Sequence, residues 1–154
     1  VTSYEIGFKT RNPDNTASLD LGVFYIDWDN VQLFATQDGF GFNANGGGAR
    51  SMGAEFTGSI EPITGLALTL NGAYTDAELT TDTEIGGLDG DRLPFTPKFS
   101  ASFIADYSWA LGSSIEANVG ASLRHLSEQS AGFDAAFRAA NGRQRIVDGT
   151  ASSI

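Results

Sequence analysis

Between Asn45 and Leu79 the chain carries two alternating runs. Met52, Ala54, Phe56, Gly58 and Ile60 form the first, and Leu66, Leu68, Leu70, Gly72 and Tyr74 the second, with mostly small or polar residues between them. A period of two is that of a β-strand, whose side chains point alternately to opposite faces. Only Glu61 to Gly65 separates the runs, so they fold back on each other as an antiparallel hairpin. Their far ends open into long polar stretches.

The same unit recurs along the chain. Tyr4, Ile6 and Phe8 oppose Glu5, Gly7 and Lys9 within Ser3 to Arg11, and Asn12-Pro13-Asp14-Asn15-Thr16 then supplies turn chemistry. Ala17, Leu19, Leu21, Val23 and Tyr25 continue the pattern against Ser18, Asp20 and Gly22, after which Phe24, Ile26 and Trp28 fall on the polar side. Either that strand rises out of the apolar band or a bulge resets its phase. A loop around Gln37 to Gly47 precedes the central hairpin, and a longer one from Thr80 to Thr96 follows it. Phe99, Ala101, Phe103, Ala105, Tyr107 and Trp109 then face away from Lys98, Ser100, Ser102, Asp106 and Ser108. A short turn at Ala110 to Ser114 leads to Ile115, Ala117, Val119, Ala121 and Leu123, set against Glu116, Asn118, Gly120, Ser122 and Arg124. The stretch from Ser127 to about Gln144 reads as a loop, with a last, weak strand beginning near Arg145. The pattern predicts seven strands joined alternately by short turns and long loops.

Strand length decides what the apolar face meets. Strands of soluble sheets average about 5–6 residues, whereas a strand that spans a bilayer needs about 9–11, the length of the runs here. Tyr25 closes one run, Tyr74 another, and Phe99 and Tyr107 bracket a third. Eight to ten residues at a rise of ~3.3 Å, tilted by ~40°, climb roughly 20–25 Å, the separation of the two aromatic girdles of a membrane barrel. Glu5, Lys9, Asp20, Glu55, Glu116 and Arg124 all fall on the other face, which a wet lumen accommodates. Short turns at one end and long loops at the other complete the pattern of an up-and-down membrane barrel. A soluble antiparallel sheet with one solvated face is the alternative.

The 154 residues carry a net charge of −10, contain no cysteine, and are 41% hydrophobic with 19 glycines. Such acidity argues against binding nucleic acid or an anionic lipid face, both of which need clustered Lys and Arg. Lack of cysteine removes disulfides, zinc thiolates and thiol nucleophiles. The longest apolar run, about Val23 to Ile26, is far shorter than a spanning helix requires. Val1 opens directly into a strand pattern and Ile154 stops in mid-pattern, so the chain reads as a fragment of something longer.

Little suggests catalysis. His125 is the single histidine and lacks the partners a metal site needs, which leaves it an interfacial or lumen position. The acidic stretch Asp76, Glu78, Asp82, Glu84, Asp89 and Asp91 resembles a Ca²⁺ loop in composition, but its spacing fits no EF-hand, and a solvated outer loop accounts for it. Asn45-Gly46-Gly47-Gly48 lacks the Lys-Ser/Thr pair and the helix of a phosphate loop. No marked carboxylate pair and no G-x-S-x-G elbow is present. Neither a cofactor nor an enzymatic activity is expected.

The segments SYEIGFK (3–9), FYIDWDNVQL (24–33), NGGGARSMGAEF (45–56), LTLNGAYTDAEL (68–79) and GDRLPFTPKFSASFIADY (90–107), in this order and spacing, resemble the barrel of TonB-dependent outer-membrane receptors. The resemblance implies an all-β, antiparallel up-and-down transmembrane barrel segment, about seven strands of a barrel of about 22 with a plugged lumen. Residues 1–154 would then be a partial barrel domain late in the receptor, without its plug, TonB-contacting box or closing strands. It further implies a bacterial outer membrane, import of a bulky solute (a siderophore-iron complex, cobalamin or a saccharide) and energy relayed by TonB through the absent N-terminal region. Outer-membrane lipid and a small-molecule or metal-chelate substrate are the implied partners. An outer-membrane barrel that is an enzyme or adhesin, or a soluble β domain, are the competing readings. Gln37, Asp38, Phe40, Phe42, Asn43, Arg92 and Phe95 lie in or beside the outer loops and mix aromatic with polar groups, the combination a bulky solute needs. Seven strands cannot close an antiparallel barrel, whose first and last strands must run oppositely, so an open sheet with two unpaired edges is expected.

Overall fold

A computed structural model describes residues 1–37, 40–130, 132–133 and 152–153, with the side chains of 34–37 and 152–153 excepted. Among the described residues nine strands form: β1 (Thr2–Arg11), β2 (Ala17–Trp28), β3 (Gln32–Gln37), β4 (Phe40–Asn45), β5 (Ala49–Ile63), β6 (Leu66–Leu79), β7 (Phe99–Ala110), β8 (Glu116–Leu126) and β9 (Ser152–Ser153). Seven of them make one antiparallel sheet in the order β1-β2-β5-β6-β7-β8-β9, and β3 and β4 form a separate hairpin. The sheet is open, since β1 and β9 lie at opposite edges. The expected strand start near Arg145 lies outside the described residues; the edge that is seen is the two-residue β9, paired with Arg124 and His125.

Turn chemistry fixes one end of the sheet. Asn12 accepts the Ala17 amide on its side-chain oxygen at 2.9 Å and donates to Thr16 Oγ1 at 2.8 Å, while Asn15 takes a left-handed φ of 59°. Between β5 and β6 the positive φ (84°) falls on Gly65, whose amide donates to Glu61 Oε1 at 3.0 Å. A Cβ there would run into the Ser108 carbonyl. The connection between β7 and β8 is closed by Leu111 N donating to Ile115 O at 2.8 Å.

Register places every apolar run on one face, here called outer. Phe8, Leu21, Phe56, Gly72 and Ala101 lie in one cross-strand row, and Leu19, Gly58, Leu70, Phe103 and Leu123 in the next. On the inner face Lys9, Asp20, Thr57, Asn71, Ser102 and Arg124 make a polar row. The expected faces hold: Ala101 and Phe103 are outer, Ser100 and Ser102 inner. No second protein layer covers the outer face among the described residues. Ile6 is 71% exposed, Phe8 57% and Leu123 55%. Six strands spaced ~4.8 Å and about 25 Å of height present on the order of 700 Å² of apolar surface, more than the largest patch of an ordinary soluble monomer. A soluble sheet would have buried this face; lipid is the solvent that fits it.

Three strands run beyond the apolar band on the long-loop side, and there the faces exchange polarity. Outward positions become Asp27, Arg50, Asp76 and Glu78, while inward positions become Phe24, Ile26, Trp28, Ala49, Ala77 and Leu79. Pairing of β2 is continuous with β1 from Ser18 to Asp27 and with β5 from Ala17 to Trp28. The strand therefore rises out of the band with no bulge, and Asp76 and Glu78, expected in a loop, belong to β6. A register shift does occur at Ile60/Ile63, next to the short turn.

This geometry sets a test. Gly58 is outer, flanked by Leu19 and Leu70, with nothing within 4 Å of where a Cβ would stand. In the complete protein, Gly58→Arg should cost about 2–4 kcal/mol on folding into bilayers, the penalty of a lipid-facing cation near the midplane, and the inner Ser59→Arg well under half of that. Refolding titrations check it; equal costs contradict the face assignment.

Candidate functional site

Almost all tight packing among the described residues sits at the long-loop end. Leu79 and Ala49 are fully buried, Ala77 and Leu93 nearly so, and Trp28, Val31, Leu33 and Phe133 pack against them. The cluster forms on the inner face, where β2, β5 and β6 have turned their apolar positions inward. Leu33 comes from β3, Leu93 from the segment after β6, and Phe133 from the segment after β8. Three loops thus rest on one platform.

Backbone bonds stitch them to it. Val31 N donates to Gly47 O at 2.8 Å and Gly46 N to Val31 O at 2.6 Å, closing the base of the β3–β4 hairpin. Asn45 Nδ2 donates to Asn30 Oδ1 at 3.2 Å. The Gly46-Gly47-Gly48 run is needed for close approach: a Cβ at Gly46 would overlap Leu33, and one at Gly48 the Thr80 hydroxyl. Leu93 N donates to Ala77 O at 2.9 Å, Thr80 N to Gly48 O at 2.9 Å, and Phe95 N to Ser130 O at 2.8 Å.

The charges on this end serve the same framework. Arg50 Nη2 donates to Glu78 Oε1 at 2.6 Å, and Lys98 Nζ lies 3.4 Å from Asp76 Oδ1. Arg92 sits opposite Glu78 in an isolated bridge and donates to the Glu128 carbonyl at 3.4 Å. Asp82 accepts the Asp89 amide at 2.9 Å and Asp91 the Leu88 amide at 2.7 Å. The acidic stretch uses its oxygens to hold its own turns, and among the described residues no three His, Cys, Asp or Glu side chains converge as metal ligands. His125 is on the outer face beside Phe99, ring centroids 6.2 Å apart, at the level of the upper aromatic girdle.

The seven sequence-chosen contact residues do not form one patch. Phe40, Phe42 and Asn43 lie on β4, where Phe40 and Phe42 share a face of the hairpin and Asn43 takes the other. Phe40 is 78% exposed and Phe42 40%. Gln37 pairs with Phe40 through its backbone; its side chain and all of Asp38 lie outside the described residues. Arg92 belongs to the scaffold that fastens the segment before β7 to the one after β8. Phe95, with a left-handed φ of 57°, projects from that same segment, 65% exposed. The hairpin itself was missed from sequence, although Asp38-Gly39 between two short runs is the dipeptide that favours a two-residue turn.

Comparison with known proteins agrees with this architecture. The family described as TonB dependent receptor-like, beta-barrel matches residues 1–152. The metal-pseudopaline receptor CntO of Pseudomonas aeruginosa is 32% identical over 126 residues, which are 82% of this chain and 17% of that protein. The ferrichrome outer membrane transporter/phage receptor of Escherichia coli is 31% identical over 106 residues, 69% of this chain and 14% of its own length. In structure, the ferric preacinetobactin receptor BauA of Acinetobacter baumannii aligns with a TM-score of 0.62 at 22% identity, over 82% of this chain and 19% of that one. The chain therefore spans about one sixth of the length of the curated relatives it matches.

If the buried cluster fastens the loops, Leu79→Ala in the complete protein should cost about 2–5 kcal/mol locally, as core truncations do. Hydrogen exchange should then speed up at the Thr80 and Leu93 amides and stay unchanged at Ala105, in the middle of the band. Uniform protection at all three would show that the loops are held by something else.

Proposed function

This chain belongs to the β-barrel family of TonB-dependent receptors, proteins of the Gram-negative outer membrane, and we propose that the whole protein imports a metal chelate of the siderophore class. The observation that carries this reading is the exposed pair Phe40 and Phe42 on a hairpin whose base is locked to a packed platform. An aromatic surface on a rigid mount can stack on a bulky solute with little ordering cost. The receptor, transporter and chelate-binding names of the relatives support the same class of cargo over cobalamin, a saccharide, an enzyme or an adhesin.

On this reading the chain is a late portion of a barrel of about 22 strands. The plug and the TonB-contacting region belong to parts of the protein that precede it. Uptake draws its energy through TonB, and the missing neighbours of β1 and β9 complete the sheet, because an unpaired strand edge in hydrocarbon costs several kcal/mol per group. Gln37, Asp38, Phe40, Phe42, Asn43 and Phe95 are the proposed substrate contacts, and Arg92 is kept as a support behind them.

The test is uptake of radiolabelled ferric siderophores by cells carrying the intact receptor, with and without a working TonB. Phe40→Ser with Phe42→Ser should weaken chelate binding by about three- to tenfold per ring, the worth of an aromatic contact, and leave the barrel folded since both rings are exposed. Deleting 38–45 should do so more strongly. Uptake that persists without TonB, or binding unchanged by loss of both rings, contradicts the proposal.

A further inference from the structure

The inner face of the band holds a recess that neither the loops nor the platform explains. It has a volume of about 260 Å³ and is lined by Asn71, Gly72, Ser100, Ala101, Ser102 and Arg124. Within it, Thr57 Oγ1 donates to Asn71 Oδ1 at 3.0 Å and Asn71 Nδ2 donates to Ser102 Oγ at 3.2 Å. Ser102 thus accepts from Asn71 and keeps its own hydroxyl proton to donate. Next along the row is Arg124, directly across from Ser102. The polar chain that starts at Thr57 ends beside a free hydroxyl donor on Ser102 and the donor-only guanidinium of Arg124.

Arg124 has no acidic partner among the described residues. On the same inner row Lys9 lies 3.4 Å from Asp20, and elsewhere on the sheet Arg50 is bonded to Glu78. Arg11, at the short-turn end of the edge strand β1, likewise has no acidic partner among the described residues. Among the described residues no inner-face carboxylate forms an ion pair with Arg124. Asp106 is four residues, roughly 13 Å of strand, beyond Ser102. Glu55 lies three strands away from β8 and is turned over Gly22.

We infer that Arg124, with the hydroxyls of Ser100 and Ser102, forms an oxyanion-binding station on the lumen wall, suited to a carboxylate held by the two-pronged guanidinium. A planar fork matches a carboxylate in a way that a lysine ammonium does not. The oxyanion comes either from the transported chelate, in which case the inference rests on the proposed import, or from a carboxylate side chain elsewhere in the same receptor.

The experiment uses the complete receptor in lipid nanodiscs, with malonate as a carboxylate probe. Its reporter is the Arg124 Nε–H resonance, identified by its loss in Arg124→Gln. A saturable shift on malonate addition, weakened at least about tenfold in Arg124→Lys and several-fold in Ser102→Ala, supports a station open to solute anions. A resonance that malonate does not move but that exchanges with water far more slowly than free arginine supports a station filled by the receptor's own carboxylate. A resonance neither shifted nor protected overturns the inference, and so does malonate binding equal in Arg124→Lys and wild type. Loss of TonB dependence in the uptake assay would remove the import reading without touching any of these readouts.

Discussion

Hydrocarbon offers a peptide group no hydrogen-bond partner, and the rest of this structure follows from that constraint. A chain that crosses lipid as strands must pair every interior amide and carbonyl with a neighbour. The sheet does so continuously from β1 to β8. Once backbone groups are paired, the only freedom left is what each strand puts outward. Leu, Val, Phe, Ala and Gly fill that side, and within the band Asp, Glu, Lys and Arg are confined to the inner one. Where side chains cross-pack on the outer face, size is balanced across strands: the Phe56 ring covers Gly72, at which a Cβ would strike it.

Above the band the constraint is lifted, and the same ladders serve a different purpose. Water now meets the outer side, so Asp27, Arg50 and Glu78 line up across β2, β5 and β6. The inner side, sheltered by the returning loops, takes the apolar residues. A single unbroken strand is therefore amphipathic twice, with opposite sign. The inversion gives the receptor a small hydrophobic core where its loops begin, and that core holds the β3–β4 hairpin and the two later loop segments. It couples membrane insertion, which orders the strands, to the presentation of Phe40 and Phe42, which the proposed function requires.

The band was legible because lipid imposes one rule on every strand. The runs containing Leu21, Phe56, Leu70 and Phe103 could be paired and faced from period two alone, and aromatic spacing located the rims. What lies above the band was less legible because its rule changes with the surroundings. Phe24, Ile26 and Trp28 looked like a broken pattern until their inward contacts were known, and β6 seemed to end at Tyr74 because Asp76 and Glu78 are outward. The hairpin was lost for a related reason: Leu33 faces a core built by residues distant in sequence. Among the candidate contacts, Phe40 and Phe42 were chosen for their chemistry, and the fold leaves both exposed. Arg92 was not separable from them, since only the fold reveals that it bonds to Glu128 O and pairs with Glu78. Arg124 read as one more lumen charge, and its lack of an acidic partner among the described residues is a three-dimensional fact.

The change of face polarity along one strand is most directly measured on β6. These 154 residues contain no cysteine, so single cysteines can be placed from Leu66 to Leu79 in the complete receptor in lipid, with any cysteine elsewhere in it replaced, and spin-labelled, with oxygen reporting lipid and a nickel chelate reporting water. Oxygen accessibility should peak at 66, 68, 70, 72 and 74, and the nickel chelate should then take over at 76 and 78 while 77 and 79 stay shielded from both. Oxygen maxima that continue through 76 and 78, or labels at 77 and 79 that are open to water, would contradict the account.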